Sequence, residues 1–315
     1  MTGGQLLQAV LTGLSLGAVY GLVGIGFSLV WSLTRVLPFA HGDLVVGGAL
    51  FAVLAVVGTT PVAVSPGAGR SVALVVLTLA FGVVLSVVSY GVAVRPFLDR
   101  AGHGEDVLGW VAGGVTAGLV IRTALGVALP AAAYAVPDPL HFDGFTSSGT
   151  VTLPGGGSVP VRVFPVIAVG LLAAAAVDRF LVRSRLGRAM RSVADDPDAA
   201  VLCGVPVERA VVAAFAVAGL LAGAAALLSA PAQPVGVDDG VVLGLAGAAG
   251  ALLGRLGSPR GALAGGLALG VAQQVVQVAP SLGAAWSELV PLAVLVVVVA
   301  ARPGGLRAPR QVAVE

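Results

Sequence analysis

RSRLGRAMRSVADDPDAAVLCGVPVER, Arg183 to Arg209, breaks an otherwise apolar chain with five arginines and four acids. Apolar runs that can enter a bilayer flank it, Val166 to Val182 before and Ala210 to Leu228 after. So charged a stretch between two such runs reads as a polar loop of a polytopic membrane protein. Within it Asp196 suits a helix N-cap, Pro197 the first helical position, and Gly204 the position just past the end. The spacing predicts a short helix from Pro197 to Cys203, one that is marginal in water unless something holds it.

The rest of the chain agrees with a membrane setting. Of 315 residues, 57% are hydrophobic and 10% charged, and the mean hydropathy is +1.03. Soluble domains carry roughly a quarter charged residues. The expectation is an all-α protein forming a single transmembrane domain over residues 1–315, with a polar loop at 183–209 and a longer one at 130–165. The net charge of +2 is spread among loops and makes no surface for nucleic acid. A single cysteine excludes an internal disulfide. Lysine is absent, so neither a GxxxxGK[ST] phosphate loop nor a Schiff-base lysine can form. If ATP drives this protein, another chain binds it. His41, His103 and His141 fall in different segments and make no metal-ligand spacing. With no carboxylate pair, metal cluster or Ser-His-Asp set assignable to one face, no catalytic residue, metal or cofactor is expected in this chain.

Nine apolar runs are candidate spans: Leu6–Leu33, Leu44–Val57, Val72–Val94, Val107–Leu129, Val166–Val182, Ala210–Leu228, Val241–Leu253, Ala262–Val278 and Leu289–Ala301. Eight or nine cross the membrane in this reading, the second and seventh runs being the weakest. Met1 to Thr34 carries no charge and lacks the basic n-region of a signal peptide, so it reads as the first span. That span exceeds the roughly 30 Å hydrocarbon core and must tilt or bend, with Gly21, Gly24 and Gly26 as places to bend. Gly13, Gly17 and Gly21 repeat every four residues, a stripe on which membrane helices approach closely. Thr150–Leu153, PGGGS and Val159–Val163 read as a hairpin within the long loop. If Arg183–Arg209 is cytoplasmic, fourteen of the seventeen arginines fall on that side. The positive-inside rule then sets the N-terminus outside and the C-terminus in the cytoplasm.

Four stretches in order carry a resemblance. PFAHGD (Pro38–Asp43), LGRAMRSVADDPDAAVLCGV (Leu186–Val205), GRLGSPRGALAGG (Gly254–Gly266) and RPGGL (Arg302–Leu306) resemble the permease subunits of bacterial ABC importers for branched-chain amino acids, of the LivH type. The chain departs from the pattern in three places. Arg255 stands where the family usually has glycine, Gln273 where an acid is common, and Arg122 near a position usually neutral and polar. The resemblance implies a multi-pass protein of the bacterial plasma membrane that imports a hydrophobic amino acid by alternating access. It further implies a second permease subunit, two ATP-binding subunits and an external substrate-binding protein. The alternatives are a stand-alone secondary transporter or channel, or an ABC permease for urea, amides or sugars.

Asp198-Ala199-Ala200-x-x-x-Gly204, with Cys203 beside the glycine, is similar to the loop that couples ABC permeases to their ATPases. Two alanines would make a face thin enough to enter a groove, and the glycine would let the chain turn out. The plainer reading is an interfacial helix cap. His41 and Asp43 suit a gating or substrate element, although capping of the next span is the stronger reading for Asp43. Arg122 is the one charge deep in a span, either functional or snorkelling to the outer interface. Gln273 and Gln277 lie on one helix face and either line the pathway or bond between helices, the latter being the stronger reading.

Overall fold

Leu6 to Leu33 lies within one uninterrupted helix, α1 (Gly3–Thr34). The computed structural model describes residues 3–35, 38, 40–56, 68–98, 107–129, 133–134, 136, 138, 149–153, 156–232, 234–279 and 283–301. About half of the 130–165 loop, together with His103, His141 and the Arg302–Leu306 motif, lies outside them. After α1 come α2 (His41–Val56) and α3 (Ala68–Ser89), which runs through a π-helical segment (Tyr90–Val94) into α4 (Arg95–Leu98). They are followed by α5 (Val107–Ala128), α6 (Val163–Arg183), α7 (Arg185–Asp195), α8 (Pro197–Leu202) and α9 (Val207–Ser229). The chain continues as α10 (Asp239–Leu253), α11 (Pro259–Val278) and α12 (Gly283–Ala300). Each of the nine predicted spans is a helix. Among the described residues six helices are long and apolar enough to cross a membrane, while α2, α10 and α12 contribute shorter apolar segments. The predicted hairpin is there too, with β1 (Thr150–Thr152) antiparallel to β2 (Ser158–Pro160) and Val151 opposite Val159. It lies against the start of α1, where the Ser158 amide donates to Gln8 Oε1 at 3.3 Å.

Two helices sit at the centre. In the apolar windows of α1 and α9, 67% of residues are buried, against 11% in α5, so α5 is a peripheral helix. The Gly13, Gly17 and Gly21 stripe of α1 is a packing surface, as its spacing suggested. A Cβ on Gly17 would stand 2.6 Å from the Leu267 Cα of α11, and one on Gly13 equally close to the Val271 Cα. From the other side, a Cβ on Gly270 would run into the backbone of Gly13 and Gly17. These two helices therefore meet backbone to backbone, an approach that larger side chains would prevent.

The start of α2 departs from the simple picture of spans joined at the membrane surface. His41 packs its ring edge on Phe27 at 5.1 Å, with Gly26 also against the imidazole. Phe27 stands two turns before the end of α1, so α2 begins about 10 Å inside that end. There α2 meets the first turns of α10: a Cβ on Gly42 would collide with the Gly240 carbonyl and stand 2.6 Å from the Gly244 Cα. Two short helices thus meet near their N-terminal ends through glycines on both.

Candidate functional site

Asp43, in the first turn of α2, faces Arg122 in the last third of α5. Arg122 Nη2 donates to Asp43 Oδ1 at 3.0 Å, and Nη1 stands 3.8 Å from Asp238 Oδ1 just before α10. Exposure grades across the trio, the Asp43 side chain being 9% exposed, Arg122 26% and Asp238 92%. Room for the inner carboxylate comes from Gly118 of α5 and Gly240 of α10, each so close that a Cβ would press on an Asp43 oxygen. The pair forms the polar wall of a cavity of about 380 Å³, with Phe27, Leu119, Leu245 and Leu252 among its apolar lining.

Asp43 is the ion-pair partner of Arg122, a pairing that the sequence reading did not make for either residue. Alternating spans had set these residues toward opposite ends of the bundle. They meet because α2 starts within it. The remaining pathway candidates lie elsewhere. His41 is 1% exposed, with Nε2 lacking a hydrogen-bond partner, and it lines a separate small cavity with Pro38, Ser86 and Phe215. Gln273 accepts a hydrogen bond from Tyr20 Oη at 2.9 Å, a link between α11 and α1, and Gln277 is exposed. Asp238 was not singled out in the sequence. The signal for it was the shortness of α2 and α10, since interrupted helices tend to begin at membrane binding sites.

The charged loop folds as two helices. Ser184 caps α7, its Oγ accepting from the Gly187 amide at 2.8 Å, and Met190 and Val193 fix α7 to the core. This helix was missed in the sequence, although the spacing of those apolar residues marks it. Asp196 then caps α8 as expected, accepting from the amides of Asp198 at 3.0 Å and Ala199 at 2.9 Å. At the other end Gly204 has a φ of +76°. The Val205 amide donates to the Ala200 carbonyl and the Gly204 amide to that of Val201, both at 2.9 Å. That is a Schellman closure, which a left-handed glycine permits. Arg35 ties α7 to the end of α1 by donating to the Ala194 carbonyl at 3.1 Å.

One expectation for this loop fails. Ala200 is 4% exposed and belongs to the protein's own core, so it cannot enter a groove on another chain. Asp198, Ala199, Cys203 and Gly204 are exposed. The apolar side chains that α8 offers outward are Val201, 60% exposed, and Leu202, 88% exposed.

Residues 9–299 match the family described as the permease component of the branched-chain amino acid transport system. The chain belongs to that family. It is 28% identical to the Pseudomonas aeruginosa high-affinity branched-chain amino acid transport system permease protein BraD, over 95% of each chain. Against the Escherichia coli K12 permease protein LivH the identity is 26%, over 95% of this chain and 94% of the relative. The LivH of Salmonella typhimurium stands at the same identity and coverage. As a permease component the chain is a membrane protein and not a catalytic subunit.

Membership of this permease family gives the turn between α10 and α11 added interest. Ser258 caps α11, its Oγ accepting from the Gly261 amide at 3.2 Å, Pro259 opens the helix, and the Gly257 amide donates to Ser28 Oγ of α1 at 2.7 Å. Arg255 has a φ of +75°. The position where the resemblance expects glycine is therefore left-handed, and an arginine there carries strain that glycine would not.

Proposed function

We propose that the chain is the transmembrane permease subunit of a binding-protein-dependent ABC importer for branched-chain or related hydrophobic amino acids, in a bacterial plasma membrane. The observation that carries this is the family match across nearly the whole chain, together with relatives aligned end to end. The assembly contains a second permease subunit, identical or related, two ATP-binding subunits and an external substrate-binding protein. Arginine placement favours an N-terminus outside and a C-terminus in the cytoplasm. A reporter fused after Ser192 that reads external would reverse that orientation.

In this reading α8 is the contact through which ATPase motion enters the permease. Its caps hold a six-residue helix that would not persist alone, and Leu202 supplies an apolar knob for an ATPase groove. Movement of α8 passes to α7 and α9, which it joins, and alternating access follows. The test is uptake of labelled leucine by membrane vesicles carrying the whole assembly, together with labelling of Cys203, the sole thiol. Uptake is expected to depend on this chain and on ATP. A small maleimide is expected to label Cys203 in the isolated permease and much less in the assembly. Leu202→Glu is expected to abolish uptake while the protein still inserts, because it carries an unpaired charge into an apolar contact. Unchanged Cys203 labelling on assembly, with normal uptake by Leu202→Glu, would sink the coupling role.

A further inference from the structure

The Arg122 cavity combines features that single out one chemical class of occupant. Its charged wall is the Asp43–Arg122 pair, with Asp238, outside the lining and exposed, 3.8 Å from Arg122 Nη1, and the other lining named above is apolar. Only one part of the guanidinium is committed: Nη2 serves Asp43, whereas Nη1 at 3.8 Å from Asp238 lies beyond hydrogen-bond reach. We infer that this cavity binds the transported solute as an α-amino-acid zwitterion, its carboxylate at Arg122 Nη1, its ammonium toward Asp238 and Asp43, and its aliphatic side chain along Leu119, Leu245 and Leu252. The inference rests on the importer reading and adds to it where in the chain the solute is recognised and by what.

Charge decides between the classes. A simple carboxylate would bring a further negative charge to a cluster that already has two acids for one base. A simple amine would bring its positive charge beside Arg122. A zwitterion carries both signs and changes the net charge of a partly buried site by nothing, while each of its ends finds an opposite partner. Urea or an amide would satisfy the polar wall and leave the leucine-lined part empty. At about 380 Å³ the space suits a small solute, within the roughly 300–1,000 Å³ of ordinary ligand pockets. Another groove, lined by Leu85, Val88, Val92 and Val120 of α3, the π segment and α5, has no charged residue and serves as a comparison.

The test uses the full-length chain in lipid nanodiscs, in a Cys203→Ser background with one new thiol, Leu245→Cys in the cavity or Val88→Cys in the comparison groove. Maleimide labelling is followed with L-leucine, isocaproate (carboxylate alone) or isoamylamine (amine alone). Leucine is expected to slow labelling at position 245, and each analogue to need a concentration at least about tenfold higher, since each lacks a charge-assisted partner. No compound is expected to protect position 88. Arg122→Gln is expected to remove the leucine effect, and Arg122→Lys to keep part of it. If Arg122→Gln fails to insert, the analogue series with Arg122 intact decides alone. Equal protection by all three compounds would mark a lipid-like groove and overturn the proposal, as would no protection by leucine. Leucine uptake by the full assembly separates the two readings. Uptake without selective protection removes this site and leaves the importer, and selective protection without uptake does the reverse.

Discussion

Gly17→Ala is the sharpest single test of how the bundle is held. The added methyl would stand 2.6 Å from Leu267 Cα, 2.7 Å from the Gly266 carbonyl oxygen and 3.0 Å from that of Leu267. Carbon atoms in contact settle about 3.5–4.0 Å apart, so α1 and α11 must separate by about 1 Å. All three obstacles are backbone, and no rotamer change relieves them. A gap of that size forfeits about a quarter to a half of the dispersion attraction across the seam, and such overpacking costs about 1–3 kcal/mol. Alanine returns up to about 1 kcal/mol of helix propensity. The net expectation is a loss of about 0–2 kcal/mol, against a gain for a methyl that meets nothing. Gly270→Ala, facing Gly13 and Gly17, should cost a similar amount, and the double variant less than the sum because the first methyl has already opened the seam. Gly126 of α5 has nothing within 4 Å of its would-be Cβ, so Gly126→Ala is the matched control, expected to be neutral or slightly stabilising. Thermal unfolding of the full chain in detergent, followed by far-ultraviolet circular dichroism, reads all four variants. A Gly17→Ala midpoint equal to or above that of Gly126→Ala would refute the backbone-contact argument.

Arg255→Gly should raise stability by about 1 kcal/mol in the same assay, since the left-handed φ of +75° costs an L-residue about 1–2 kcal/mol and glycine little; an unchanged midpoint would mean that arginine contacts offset the strain. Arg162 is buried and donates to the Leu227 and Leu228 carbonyls in the last turn of α9 at 3.4 and 2.8 Å, with Asp138 at 3.5 Å. Arg162→Met should therefore lower stability by about 2–4 kcal/mol by stranding those two carbonyls and removing the ion pair, and a midpoint within error of wild type would show that solvent satisfies the carbonyls.

The helices were legible because a bilayer demands long uncharged runs, and the breaks between them are made by arginine, proline and glycine. The caps of α8 were legible for a local reason: Asp196, Pro197 and Gly204 act on their own neighbours. What the sequence hid is relational. Nothing local says that α2 begins beside Phe27, and so nothing paired Asp43 with Arg122 across 79 residues. Ala200 looked like half of an outward face because helical spacing groups residues without saying which way the group points. That direction came from tertiary packing, in which Ala200 is buried in the same core as Met190 and Val193 of α7. Even Arg255 was visible only as a departure from a pattern, and its left-handed backbone explains what glycine would be doing there.

The glycine seams also bear on mechanics. Side chains between helices act as compliant spacers, able to absorb a displacement by changing rotamer before they transmit it. At the glycine contacts where α1 meets α11 and α2 meets α10 no such spacer stands, so a push there reaches the partner with little slack. Contacts of Gly24 and Val23 with Gly247 and Ala251 join α10 to α1 in the same close fashion. These four helices therefore behave as a stiff block. Compliance is left to the periphery, and above all to α5, whose Arg122 is a long lever on a flexible stem. Of the two residues at the charged wall, Asp43 is fixed to the block and Arg122 to the part that can give.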